Sequence, residues 1–406
     1  MKALWLSPTL RSVIIYGASG LGFAGANLIL ARVLPTREYA LFTLVIAVVN
    51  LSFALAPLGV DGIVQRRHLD AGPILLKRTL WAGLLTGVVS ALTAGLAYDL
   101  SPLMLLLVLA ATVGGGAMVV AAAQFQSEQR YSLSLSLTQS PNLVLIVAAA
   151  AVTLMGSTEA RLPLVISALG FVLSGIIGWW ILFRERASKP HQSTWFPWGE
   201  ALSFAGLNAA GLLLVQLDRL VIPYVLTLHD LATFGVLAAI AGSLFRVLSM
   251  GVGYTLVPRL RAAASVMERR HLIAHEAKLI GVIIIVGSLA IWFLTPWIER
   301  AFLAGKYHLG GSLLLATIFS GVAKIMNSFT KATVTALATG SEVSIVNLLG
   351  WVSVGVAFAA AILGARWGLT GVIYGVGVGW LVRALTASYL ILRHLKLPGS
   401  IPATAQ

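Results

Sequence analysis

The chain has 406 residues, of which 58% are hydrophobic and only 10% are charged, and its mean hydropathy is +0.93. This composition excludes an ordinary soluble domain and indicates a polytopic membrane protein. The chain has no cysteine, which excludes disulfide bonds and thiolate chemistry. Basic cytoplasmic loops explain the net charge of +14 better than nucleic-acid binding does, so no nucleic-acid partner is expected.

Twelve segments have the length and apolarity of a membrane-spanning helix, which needs about 20 residues. In chain order they cover residues 12–32, 39–60, 79–98, 102–125, 132–156, 162–183, 199–225, 231–258, 279–298, 310–337, 343–364 and 369–392. The fifth begins with an alternating Ser-Leu pattern typical of a strand. We predict a helix there, because an unpaired strand cannot satisfy its backbone in lipid. The sequence thus predicts an all-α polytopic membrane protein with twelve transmembrane helices.

The lysines and arginines in the loops and near the ends of these segments indicate the orientation. With the N-terminus inside, eighteen of them fall in cytoplasmic segments and six in outer segments. This excess is the positive-inside pattern, and it predicts that both termini are cytoplasmic. The longest polar stretches, 184–198 and 259–278, are then both cytoplasmic.

An internal repeat relates the two halves of the chain. Residues 34–42 align with residues 226–234, and the acids Glu38 and Asp230 coincide in this alignment. Six spans per half give both halves the same orientation, which predicts parallel repeats with a site near the membrane midplane. The predicted division is an N-terminal six-helix bundle, a cytoplasmic linker and a C-terminal six-helix bundle, at residues 1–183, 184–198 and 199–406.

The same alignment pairs polar residues inside the first span of each half. Tyr16 falls on Asn208, and Asn27 falls on Arg219. In each half the two residues are three helical turns apart, so they share one helix face. We expect Tyr16, Asn27 and Asn208 to line a polar cavity.

Five ionisable side chains lie deep inside apolar segments, and four of them are basic. They are Asp218, Arg219, Arg246, Lys324 and Arg383. A charge at the centre of a membrane costs about 2.5–3.5 kcal/mol on insertion scales, so it is rarely without function. An excess of basic groups in the interior predicts an anionic substrate.

Arg246 is the strongest candidate among these residues because it lies near the middle of the eighth span, too deep to snorkel. It either binds an anion or forms a structural pair with Asp218. Asp218 is the only acid deep in the membrane, and it is either a counter-ion or the site of a coupling proton or sodium ion. Its neighbour Arg219 shares a helix face with Asn208 and Gln216.

The tenth span carries one polar stripe on an otherwise apolar helix, at i, i+4, i+7 and i+11. Its members are Ser320, Lys324, Asn327 and Lys331. Such a stripe is typical of a cavity-lining helix. The alternative is that Lys331 belongs to a loop and that Lys324 snorkels toward it.

Two further arginines have two interpretations each. Arg32 ends the first span on the outer side, where it either snorkels to the interface or marks the mouth of a cavity. Arg383 lies in the middle of the last span but only ten residues before Arg393, so a binding role and a structural role are both open.

Signatures of enzymes are absent from the sequence. It contains no HExxH motif, no close histidine cluster for a metal and no phosphate-binding loop of the GxxxxGK[ST] type. We therefore expect a transporter without a cofactor rather than an enzyme.

Several stretches resemble the polysaccharide and O-antigen lipid flippases of the multidrug/oligosaccharidyl-lipid/polysaccharide (MOP) exporter superfamily. These stretches are residues 27–34, 39–42, 57–62, 217–223, 256–260, 338–341, 346–350 and 367–371. The resemblance implies a V-shaped pair of six-helix bundles in the bacterial inner membrane. It also implies alternating access for a polyprenyl-diphosphate-linked oligosaccharide, moved from the cytoplasmic to the outer leaflet for cell-surface polysaccharide biosynthesis.

The residues above fit that expectation. Arginine binds a diphosphate bidentately, and tyrosine and amide side chains suit sugars. The expected partners are the lipid-linked oligosaccharide and membrane lipids, with a proton or sodium ion as an open coupling partner. Alternating access needs no second chain, so we expect a monomer.

Three alternatives remain open at this stage. A proton- or sodium-coupled multidrug antiporter would share the fold, although Asp218 is its only candidate cation site. The lipid-precursor flippases of peptidoglycan synthesis typically have fourteen spans rather than twelve. A membrane glycan polymerase or glycosyltransferase usually needs a large outer loop or an acid pair, and the sequence has neither.

Overall fold

The computed structural model describes residues 8–67, 69, 71–186, 196–242, 260, 263, 265–337 and 340–396. The regular elements in these ranges are helical, as predicted. The α-helices are α1 Pro8–Val33, α2 Thr36–Leu55, α3 Val60–Arg67, α4 Pro73–Tyr98, α5 Pro102–Ser127, α6 Tyr131–Met155, α7 Arg161–Arg186, α8 Trp198–Val225, α9 Leu228–Leu237, α10 Val266–Ala301, α11 Gly311–Leu337, α12 Gly340–Gly364 and α13 Gly368–Lys396. A π-helical turn, Ala238–Gly242, follows α9, and a 3₁₀ turn, Ala365–Trp367, joins α12 to α13.

Nine stretches of the described residues are long and apolar enough to cross a membrane. The last of them, 345–393, covers most of α12 and most of α13. The chain is therefore a multi-pass membrane protein. The count of twelve spans stays a prediction, because the predicted eighth span runs from α9 into residues outside the described ranges. The helix predicted for the alternating Ser-Leu segment is confirmed as α6.

The helices form two compact units. The first combines residues 1–223 with 227–236, and the second combines residues 224–226 with 237–406. By its contacts α8 thus belongs to the first unit up to Pro223. The division into bundles of residues 1–183 and 199–406 stays a prediction.

In the first unit, α5 is the central helix and packs against α2, α3, α4, α6 and α7. Three consecutive glycines make this possible. A Cβ atom on Gly114 would lie 2.6 Å from the Cα of Val172, and one on Gly115 would lie 2.6 Å from the Cβ of Phe53. Small residues let helix backbones approach closely in a membrane, where the hydrophobic effect does not drive helices together.

In the second unit, α13 is central and packs against α11 and α12. Helices α12 and α13 form an antiparallel hairpin whose interface is also built from small residues. A Cβ atom on Gly371 would lie 2.0 Å from the carbonyl oxygen of Gly364, and one on Gly379 would lie 2.3 Å from the Cβ of Ala357. Glycine at these positions therefore fixes how closely the two helices approach.

One predicted boundary was wrong. The predicted second span, 39–60, ends early, because α2 stops at Leu55 and a turn over residues 56–59 leads into α3. Pro57 cannot donate a helical hydrogen bond, and the next two residues take positive φ angles of 47° and 83°.

The helix that contains the predicted ninth span extends beyond it, since α10 has 36 residues and begins at Val266. Its N-terminus is capped by Ser265 Oγ, which accepts a hydrogen bond of 3.1 Å from the backbone N–H of Glu268. The Ser-x-x-Glu pattern is a recognisable helix start, and it was overlooked within the polar stretch 259–278.

We predict that Gly59→Ala destabilises the first unit. Gly59 has a φ of +83°, and a Cβ atom there would lie 1.8 Å from the carbonyl oxygen of Ala201. Strain of this kind costs about 1–3 kcal/mol before the clash is counted. The midpoint of thermal unfolding in detergent is therefore expected to fall by about 5 °C or more.

The matched control is Gly199→Ala, because a Cβ atom on Gly199 meets nothing within 4 Å. Equal unfolding midpoints for the two variants would show that the turn does not depend on this contact.

Candidate functional site

The polar stripe of the tenth predicted span lies on α11, as expected. Ser320 and Asn327 are buried, Lys324 is half-buried and Lys331 is exposed. The ammonium nitrogen of Lys324 lies 6.0 Å from the centroid of the Trp380 ring. Lys331 is part of the helix rather than a loop residue, since α11 continues to Leu337.

Helix α13 places two polar side chains against this stripe. Trp380 is 5% exposed and Arg383, which lies one helical turn further on, is 8% exposed. A Cβ atom on Gly377 would lie 2.7 Å from the Phe319 ring and 3.3 Å from the Cα of Ser320. This glycine therefore brings the backbone of α13 close to the start of the stripe.

We call the resulting group of side chains the cationic cluster. Its members are Ser320, Lys324, Asn327, Lys331, Trp380 and Arg383. Lys331 and Arg383 are close enough to repel each other. Among the described residues, the buried Ser320 Oγ and Trp380 Nε1 have no hydrogen-bond partner. Three cations beside these two hydrogen-bonding groups suit an anion that has several oxygen atoms, such as a phosphate group.

The other candidate cluster of charges lies on α8 in the first unit. Asp218 is 2% exposed, and Gln216 is also buried. The Nη1 of the half-buried Arg219 donates a hydrogen bond of 3.1 Å to Gln216 Oε1. The structure thus confirms that Arg219 and Gln216 lie together, as their spacing predicted. Their role in substrate binding stays a prediction.

The remaining predicted site residues are spread over several environments. Asn27 is buried and donates from Nδ2 to the carbonyl oxygen of Phe23, at 2.8 Å within its own helix. Asn208 and Arg32 are exposed. Tyr16 lies on α1, and its side chain is outside the described part of the structure. Arg246, the strongest candidate from the sequence, also lies outside the described residues.

The two acids that coincide in the repeat alignment both bind backbone N–H groups at the start of a helix. Glu38 Oε2 accepts a hydrogen bond of 2.9 Å from Ala160 N, just before α7. Asp230 Oδ2 accepts from the backbone N–H and the hydroxyl of Thr227, at 3.1 and 2.6 Å, and so caps α9. Glu38 of α2 therefore stabilises the start of another helix, α7, whereas Asp230 stabilises the start of its own helix, α9.

Sequence reasoning missed a polar trio between α1 and α6. Ser19 Oγ donates to Gln139 Oε1 at 2.8 Å, and Asn142 Nδ2 donates to Ser19 Oγ at 3.0 Å. Gln139 and Asn142 are polar residues within the predicted fifth span, 132–156. A single serine in an apolar helix carries no comparable signal, so the pairing of α1 with α6 could not be read from the sequence.

An ion-pair contact joins α3 to the first turn of α8. Arg66 Nη1 and Arg67 Nη2 lie 2.9 and 2.6 Å from the two carboxylate oxygens of Glu200. The positive-inside pattern accounts for the presence of these arginines, but it does not predict this partner. In the same short helix, burial raises the pKa of the Asp61 carboxyl group.

No protein-family model matches this chain, and no curated protein matches it in sequence. Solved structures do match it over nearly the whole length. A eukaryotic MATE transporter has a TM-score of 0.63 at 13% identity, covering 94% of this chain and 93% of the transporter. The lipid II flippase MurJ in an inward closed conformation has a TM-score of 0.62 at 10% identity, covering 95% of this chain and 89% of MurJ. A MATE protein in a straight conformation has a TM-score of 0.57 at 14% identity, and 95% of each chain is covered.

The chain has a MATE-like fold. The expected all-helical fold of MATE transporters and MurJ is confirmed, while the twelve-helix count and the two-bundle repeat stay predictions. Because these sequence identities are low, the structural similarity establishes the fold and not the substrate. Membership of the polysaccharide and O-antigen flippases stays a prediction.

We predict that Arg383→Met weakens anion binding without unfolding the protein. Removing one of two neighbouring cations relieves repulsion with Lys331, so the unfolding midpoint is expected to stay the same or to rise. A hydrogen bond to a charged group contributes about 1.5–3 kcal/mol, so affinity for pyrophosphate should fall by about tenfold or more. The measurement is thermal protection by added pyrophosphate.

The control is Arg393→Met, which removes an exposed arginine from the same helix. Equal protection of the Arg383→Met variant and the unmodified protein would exclude Arg383 from the anion site.

Proposed function

We propose that this protein is a flippase that moves a polyprenyl-diphosphate-linked oligosaccharide from the cytoplasmic to the outer leaflet by alternating access. The product would serve cell-surface polysaccharide biosynthesis. The observation that carries the proposal is the cationic cluster on α11 and α13, in a protein with a MATE-like fold. The MurJ neighbour is itself a lipid II flippase, which supports a lipid-linked substrate.

The chemistry of the substrate matches the side chains that the chain provides. A diphosphate needs positive charge and hydrogen-bond donors to leave water, because an ion transferred to hydrocarbon loses its hydration. Lys324, Lys331 and Arg383 provide the charge, and the indole N–H of Trp380 is a further donor. Arg246 remains our proposal for an additional phosphate ligand.

The other cations and polar groups are proposed to complete the path. We assign Arg219 and Arg32 to the diphosphate or to its route of entry. We assign the remaining polar residues to the sugar hydroxyl groups; these are Tyr16, Asn27, Asn208, Gln216, Ser320 and Asn327. Asp218 is the counter-ion of a buried arginine or the site of a coupling proton or sodium ion.

Alternating access would come from the two predicted bundles, residues 1–183 and 199–406, moving as rigid bodies. The diphosphate and sugars would cross inside the protein, while the polyprenyl chain stays in lipid. We propose a monomer in the bacterial inner membrane with both termini in the cytoplasm.

A proton- or sodium-coupled multidrug antiporter is the second candidate. The buried acid Asp218 and the MATE neighbours favour it. Such antiporters bind cationic compounds, however, and the cationic cluster would repel them. A glycan polymerase or glycosyltransferase, the third interpretation of the sequence, gains no support from the site.

The proposal is tested with the purified protein in liposomes that contain a diphosphate-linked oligosaccharide. An impermeant lectin reports the sugar that reaches the outer face. We expect translocation by the unmodified protein and a loss of about tenfold or more in Arg246→Ala and Lys324→Ala, each of which removes a charged ligand. Arg393→Ala is the matched control and should translocate normally.

Normal translocation by Arg246→Ala would contradict the assignment of Arg246. Absence of lipid translocation, together with efflux of a cationic dye that Asp218→Asn abolishes, would replace the flippase with the antiporter.

A further inference from the structure

An open groove of about 570 Å³ lies on the first unit, between α4 and α7. One wall is a continuous face of α4, and the other includes Phe183 of α7. The α4 residues are Pro73, Leu76, Lys77, Leu80, Trp81 and Leu84. Their spacing of i, i+3, i+4, i+7, i+8 and i+11 is that of one helix face.

The groove follows from how α4 packs. Both α4 and α7 pack on α5. The face of α4 that meets α5 includes small residues, and a Cβ atom on Gly83 would lie 3.3 Å from the Cα of Val113. This close approach fixes α4 against α5, and the larger side chains of α4 then form a neighbouring face that is open to the membrane.

Along its length the groove changes from charged to apolar, in the same order as a phospholipid changes from its headgroup to its acyl chains. Lys77 is the only charged residue among the described residues that line it, and it lies toward the predicted cytoplasmic end. Trp81, one turn deeper, is 62% exposed, and tryptophan favours the membrane interface. Leu80 and Leu84 continue the apolar wall toward the membrane centre.

The length of the groove fits one leaflet. Seven residues separate Lys77, where the headgroup would lie, from Leu84, which corresponds to about 10 Å along a helix. Half of a hydrocarbon core of about 30 Å is about 15 Å deep, so the groove ends within one leaflet. An acyl chain of one leaflet is therefore a better match than a polyprenyl chain, which is much longer.

We propose that this groove binds an anionic phospholipid of the cytoplasmic leaflet. The headgroup phosphate pairs with Lys77, and one acyl chain packs along α4 between Trp81 and Phe183. Lysine attracts anionic lipids at the cytoplasmic surface, and the described residues that line the groove include no acid to oppose it. This site is separate from the cationic cluster and does not depend on the proposed function.

The test is native mass spectrometry of the full chain released from detergent, with phosphatidylglycerol or phosphatidylcholine added. We expect one phosphatidylglycerol to be retained in preference to phosphatidylcholine. Lys77→Ala should weaken this retention about fivefold, the factor expected for one lysine at an anionic surface. Leu84→Trp should abolish it by filling the groove.

Two variants are matched controls. Lys278→Ala removes an exposed lysine on the predicted cytoplasmic side of the second unit, and Leu92→Trp enlarges an exposed residue of α4 that does not line the groove. Both should retain the lipid as the unmodified protein does. Leu80→Trp gives a second groove-filling variant in case Leu84→Trp fails to fold.

Three results would overturn the proposal. The first is equal retention of the two lipids. The second is unchanged phosphatidylglycerol binding in Lys77→Ala or in the groove-filling variants. The third is displacement of phosphatidylglycerol by an equal concentration of polyprenyl phosphate, which would assign the groove to the tail of a polyprenyl lipid.

Discussion

The cost of placing an ionised group in hydrocarbon is the constraint on which this structure depends. Lys324 and Arg383 lie within the predominantly apolar, membrane-spanning stretches of α11 and α13, and Arg383 is buried. Such a charge is tolerated only where water, a counter-ion or a bound anion compensates for its lost hydration. Repulsion between Lys331 and Arg383 adds to this cost. A site with this arrangement would gain most from a multiply charged anion, and this is why we propose a diphosphate rather than a cationic drug as the substrate.

Close helix packing provides the geometry that this site requires. Gly377 brings α13 against α11 at Ser320, and the hairpin contact of Gly364 with Gly371 sets the approach of α12 to α13. Because lipid is as apolar as leucine, small residues rather than hydrophobic burial hold such helices together. The same principle explains how α4 packs on α5 through Gly83, which leaves the neighbouring face of α4 open to lipid. A few of the forty glycines of the sequence thus help to set both the position of the cations and the shape of this surface.

Residue patterns within single segments of the sequence predicted more of the fold than of the candidate site. The polar stripe from Ser320 to Lys331 was predicted because residues at helical spacing must share a face. The break at Pro57 was missed because apolar residues continue on both sides of it. The contact of Trp380 and Arg383 with the stripe was not predicted, since no periodicity within α11 encodes which helix lies against it. The same reason explains why the partner of Arg66 and Arg67 emerged only from the structure.

The most direct test of the transported substrate uses cells in which this protein is depleted. Their lipids are extracted and analysed by mass spectrometry after labelling that distinguishes the two leaflets. The flippase account predicts that a diphosphate-linked oligosaccharide accumulates on the cytoplasmic leaflet, and its mass would identify the glycan. If no such lipid accumulates while susceptibility to cationic compounds rises, the flippase account is wrong and the antiporter replaces it.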